Sequence, residues 1–201
     1  MGRSTATSVC DKSYVHRGDP MQSMPMQFGM QADDERIILL TGDVNESSIA
    51  MATAAMLSMS ARDRHRPIQL VINTYGGSID EMFCMYDVMR YIKTPVHTVG
   101  LGKVMSAGVL LLAAGTKGKR LLGQNARIMM HAISSGTHGN IFEILSHVDE
   151  LDRMQKRYEK CLVAETNMVD DQILAIMKNS NDTYISSEKA IECGIADRLA
   201  C

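Results

Sequence analysis

Three short apolar runs, each closing on glycine and each leading into a stretch of helical period, constrain this chain more than any other feature. They occupy residues 35–42, 67–73 (followed by Thr74, Tyr75, Gly76 and Gly77) and 95–101 (followed by Gly102). Each is bounded, rich in Ile, Leu and Val, and too short for a buried helix, which predicts strands covered on both faces. Between them, residues 47–61 offer Ile49, Met56, Leu57 and Met59 for one buried side. Residues 78–93 place Ile79, Met82, Phe83, Tyr86, Met89 and Tyr91 at helical spacing. Strands alternating with helices imply βαβ units, a largely parallel sheet and right-handed crossovers. Residues 106–114 read as a short apolar helix, and 119–122 and 126–131 as further strands. The fold class is α/β, one domain over 35–201. Residues 1–34, polar and Met-rich with scattered Gly and Pro, read as a flexible arm.

Residues 140–166 differ from the rest. Ile141, Ile144, Leu145, Val148, Leu151, Met154, Tyr158 and Leu162 recur at steps of three and four among dense charges. A helix of about 27 residues would be ~40 Å long, more than a compact domain of this size spans. Its narrow apolar stripe predicts that part of it projects and packs on another subunit.

Composition then removes function classes. The net charge of −2 gives no nucleic-acid or acidic-membrane surface. No apolar run approaches the ~20 residues of a membrane span, and the arm carries no secretory h-region. The five cysteines are scattered and form no Cys-x-x-Cys, so a reduced, cytoplasmic setting is expected, without disulfide framework or zinc site. The six histidines show no metal spacing. The 17 methionines read mostly as adaptable core filler.

Ser106 stands where the third strand turns through small residues into an apolar helix. Backbone N–H groups are unpaired there, as a nucleophilic serine with an oxyanion to stabilise requires; a helix N-cap is the competing reading. His131, at the end of a buried strand opening into a loop, could serve as its base, or be a satisfied structural histidine. Asp182 could orient the imidazole, or cap the next helix. The N–H of Gly77, with that of Ala107, would make a two-donor oxyanion hole, although a plain strand-to-helix turn explains Gly76 and Gly77 equally well.

Together these residues resemble the proteolytic subunits of Clp proteases, the ClpP family. The resemblance runs from Glu35 to Asp197. It includes Leu40-Thr-Gly42, Ile72-Asn-x-x-Gly-Gly77, Gly102-x-x-x-Ser-x-Gly108, Asn125-x-Arg-x-Met-x-His131 and Asp182-x-x-x-Ser-x-x-x-Ala190. It implies a ClpP/crotonase-like spiral of βαβ units with a protruding handle helix at about 140–166 and an axial-loop arm at 1–34. By resemblance Ser106 is the nucleophile, His131 the general base and acid, Asp182 the orienting carboxylate, and Gly77 and Ala107 the oxyanion donors. The implied reaction is hydrolysis of peptide bonds in unfolded polypeptides through an acyl-enzyme. The substrate is added as a strand between Gly76-Gly77 and Ala132, Ile133, Ser134 and Ser135. The resemblance further implies heptameric rings stacked as a tetradecamer and a hexameric Clp-type ATPase partner, docked near Val71, Tyr91, Leu101 and Leu121. This chain would need no cofactor, ATP being the partner's; no P-loop occurs here.

The sequence departs from the family at several points. Thr74-Tyr75 replaces the usual Ser-Pro, Ala107 the usual Met, and Ala132 the usual Gln after the histidine. Asn181 stands where an arginine usually bridges the rings, which bears on whether one ring or two form. Gln69, Val71 and Leu121 replace aromatic residues of the docking cleft. Two alternatives remain at this stage: a ClpP-like protease working without an unfoldase, and a crotonase-like acyl-CoA enzyme, which would not need Ser106, His131 and Asp182 together.

Overall fold

A computed structural model describes residues 35–179 and 181–200; the arm expected at 1–34 lies outside them. The apolar runs form strands β1 (Ile37–Val44), β2 (Ile68–Gly77) and β3 (Val96–Met105). They alternate with helices α1 (Glu46–Arg62), α2 (Ile79–Tyr91) and α3 (Ala107–Ala113). Then follow β4 (Arg120–Leu122), β5 (Arg127–Met130), the long α4 (Ile141–Glu165), α5 (Asp170–Met177), β6 (Thr183–Ile185), α6 (Ser187–Glu192) and β7 (Arg198–Leu199). The α/β expectation holds. Strands β1-β2-β3-β4-β7 pair in that order, all parallel, and β6 adds an antiparallel pair to β5.

The sheet divides at β3. Its first half, Thr98 to Gly100, pairs with β4, and its second half, Lys103 to Met105, pairs with β5. Gly100 allows the split: a Cβ there would lie 2.7 Å from Val104 Cγ2 and 2.9 Å from Leu122 Cδ1. α3 is buried at all seven positions and packs behind β2 and β3, as a helix apolar all round must. Ile68, Leu70 and Ile72 on β2, and Met82, Met85 and Met89 on α2, join it in the core. These methionines confirm the core-filler reading.

α4 begins on a capping box, Asn140 accepting from Phe142 N and Glu143 N while Glu143 accepts from Asn140 N. Its 25 residues span roughly 37 Å. Only the C-terminal half is sunk in the domain, through Tyr158, Leu162 and Glu165. Buried Glu165 accepts from Tyr86 Oη at 2.9 Å and pairs with Arg90 and Lys117, while its carbonyl takes a 2.8 Å bond from Arg120 Nη1. Arg120 in turn bridges Asp197 at 2.5 Å, fastening β7 to β4. The N-terminal half leaves Ile141, Phe142, Leu145 and Val148 more than half exposed.

Candidate active site

Ser106 and His131 meet because β3 and β5 run parallel with Met105 opposite Met129, and Ser106 N donates to Met129 O at 2.8 Å. The next inward-facing position beyond Met129 is His131, and its Nε2 lies 2.9 Å from Ser106 Oγ. Ser106 adopts φ 52°, ψ −120°, a left-handed-side conformation that a serine adopts only under constraint. Its side chain makes no capping bond, so the helix-cap reading fails. The turn instead lifts the hydroxyl clear of α3 and aims it at the imidazole, as a nucleophile elbow does.

Small residues make that turn possible. A Cβ on Gly76 (φ +102°) would stand 2.6 Å from Ser106 Cβ and 3.0 Å from its Oγ. One on Gly108 would lie 2.7 Å from Thr74 Cγ2. Residues 74–77, expected as a turn, continue β2: Gly77 pairs with Val44, and its missing side chain leaves space for the Val44 carbonyl. Thr74, fully buried, accepts from Gly76 N at 2.9 Å. Tyr75, which departs from the usual proline, is 61% exposed and lies under Lys103 Nζ, 4.6 Å from its ring centroid. Gly76 N is thereby occupied, and Gly77 is the glycine that stays a candidate oxyanion donor beside Ala107.

Asp182 is exposed and immediately precedes β6. Antiparallel pairing sets Met130 opposite Thr183, so one further step along the same register sets His131 opposite Asp182. Among the described residues, Ser106 Oγ is the hydrogen-bond partner recorded for the imidazole, and no bond to Asp182 is formed. Asn181 is likewise exposed.

Past His131, Ala132 and Ile133 pack partly on the core and Ser134 and Ser135 are exposed. Ile133 N donates to Gln155 Oε1 on α4 at 2.8 Å, so that N–H is not open to a substrate. Tyr158 Oη, on a side chain 3% exposed, donates to the Ser106 carbonyl at 3.4 Å. Burial pushes its phenol well above the ordinary range, keeping it a neutral donor. By spacing Tyr158 belongs to the stripe, and nothing local marks Gln155, whose backbone partner Ile133 lies 22 residues away.

On the outer face of the sheet, Leu39, Val71, Val99 and Leu121 stand in register across β1 to β4. Tyr91 and Leu101 are exposed, at 75% and 41%. The sequence singled out Val71, Tyr91, Leu101 and Leu121 here; Leu39 and Val99 complete the row. Among the described residues no cluster of His, Cys, Asp or Glu could hold a metal ion, and no helix is long and apolar enough to cross a membrane.

Compared with known proteins, residues 24–200 match the Clp protease family. A curated relative from Rhodococcus jostii (strain RHA1), described as ATP-dependent Clp protease proteolytic subunit 3, is 35% identical over 165 residues, covering 82% of this chain and 81% of the relative.

Proposed function

The chain belongs to the Clp protease family and is a peptidase of that type; from this premise we propose that Ser106, His131 and Asp182 carry out its peptide hydrolysis. The observation that supports this most directly is the 2.9 Å contact between His131 Nε2 and the hydroxyl of a serine held in a strained elbow. His131 takes the Ser106 proton as Oγ attacks the peptide carbonyl, then delivers it to the leaving amine. The oxyanion is met by the N–H groups of Ala107 and Gly77. Water hydrolyses the acyl-enzyme by the same proton path in reverse. Asp182, opposite His131 in the β5–β6 register, closes onto the imidazole and holds its tautomer when substrate is bound.

The substrate adds as a strand between Gly76-Gly77 and residues 132–135, a mode that reads main chain more than side chains and suits unfolded polypeptides. The exposed apolar half of α4 supports self-association into rings. The row Leu39, Val71, Val99 and Leu121, with Tyr91 and Leu101, is the surface we assign to a Clp-type ATPase, with ATP used by that partner and no cofactor in this chain.

Ser106→Ala should abolish both hydrolysis of a quenched fluorogenic peptide and labelling by a fluorophosphonate. Labelling that survives at another residue would overturn the assignment.

A further inference from the structure

α4 does more than project. Gln155 and Tyr158 lie three residues apart on one face of the helix, and each sends one oxygen to backbone next to the Ser106–His131 pair, Gln155 Oε1 to the Ile133 N–H and Tyr158 Oη to the Ser106 carbonyl. Gln155 Nε2 donates to Glu159 Oε1 at 2.8 Å, which turns its oxygen toward Ile133 N–H, also at 2.8 Å. β5 ends at Met130, and its ladder to β6 reaches no further than Thr183. Among the described residues, 132–135 therefore have no strand neighbour, and the Gln155 bond is the backbone hydrogen bond that anchors that segment. Extended backbone sends successive N–H groups to opposite edges. Fixing that of Ile133 toward α4 leaves those of Ala132 and Ser134 for the other edge, where the substrate strand would add. Tyr158 holds the opposite member, the carbonyl of the elbow serine itself.

We propose that Gln155 and Tyr158 are positioning residues of the peptidase: Gln155 orients the segment that receives the substrate strand, and Tyr158 orients the nucleophile. The inference rests on the peptidase reading above. The two residues predict different kinetic signatures, because a fluorophosphonate reaches Ser106 without adding a strand.

The test uses the full-length assembled protein, a quenched fluorogenic peptide and a fluorophosphonate probe. Gln155→Met keeps length and packing but removes the acceptor. It should raise KM for the peptide about five- to tenfold, the weight of one hydrogen bond, with kcat and the labelling rate unchanged. The swap Gln155→Glu with Glu159→Gln keeps both an acceptor for Ile133 N–H and an amide–carboxylate pair, and should restore KM to near the parent value. Tyr158→Phe should lower kcat and labelling rate together by about threefold, as for a long, weak bond, leaving KM alone. A Gln155→Met protein with parental KM, or one whose labelling falls in step with hydrolysis, or a swap that restores nothing, would overturn the proposal. If the parent protein itself is neither labelled at Ser106 nor active, the peptidase reading fails instead.

Discussion

Gly76→Ala isolates the steric condition on which the role proposed for Ser106 depends. Gly76 holds φ +102°, where any side chain costs about 1–3 kcal/mol of strain. The added methyl would also lie 2.6 Å from Ser106 Cβ, 3.0 Å from Ser106 Oγ and 3.0 Å from the Met105 carbonyl. Restoring ordinary contact requires the elbow to move by about 1 Å, a displacement that in an oriented active site costs on the order of a hundredfold in rate. Gly118→Ala is the matched control: φ is +80° in an open turn with nothing within 4 Å of the new methyl, so strain is added without a clash. Both variants should melt lower, by about 2–12 °C for the strain in a domain of this size. Only Gly76→Ala should lose fluorophosphonate labelling, by about a hundredfold. Labelling of Gly76→Ala within threefold of the parent, or an equal loss in Gly118→Ala, would refute the steric argument.

Three further outcomes follow from other contacts. Burial alone would raise the Asp197 carboxyl, but hydrogen bonds from the Arg120 side chain and backbone, with the guanidinium charge, hold it below its usual value. A carboxylate lowered in the folded state stabilises above its unfolded pKa of about 3.9 and gives that up as pH falls through the folded value. The melting midpoint should therefore drop on acidification below about pH 4, and Asp197→Asn should start lower and flatten that part of the profile. Leu145→Glu, at a half-exposed position of α4, should shift the protein toward smaller species in native mass measurement with the domain still folded; an unchanged assembly would contradict the role given to this face. Gly108→Ala should cost about 1–3 kcal/mol through its clash with Thr74 Cγ2, and Thr74→Ser, which removes that methyl, should recover part of the loss in the double variant.

Much of this architecture is legible in the sequence, because the strands β1, β2 and β3 and the helices between them carry clear periods, and α4 announces its stripe. The shortfalls lie in strand pairing and strand length, neither of which local periodicity records. Residues 95–101 look finished at Gly102, yet β3 continues to Met105 because it exchanges β4 for β5 as its neighbour, and a change of partner leaves no trace in local periodicity. β2 runs through Gly76 and Gly77 because β1 pairs with it there, not by its own propensity. The three-residue β6 is too short to show alternation, although its register is what sets Asp182 opposite His131.

The site follows the same division between chemistry and geometry. Residue type and setting singled out Ser106 and His131, but the strained φ of Ser106 is accommodated by Gly76 on the neighbouring strand and by Gly108 two residues further on, contacts that local sequence does not display. Tyr158 belongs to the apolar stripe by spacing and is buried as the stripe requires, while its hydroxyl serves a carbonyl 52 residues away. A residue can meet the demand of the core with its ring and the demand of the site with one atom. The helix that carries an exposed apolar face at one end thus holds the backbone of Ser106 at the other.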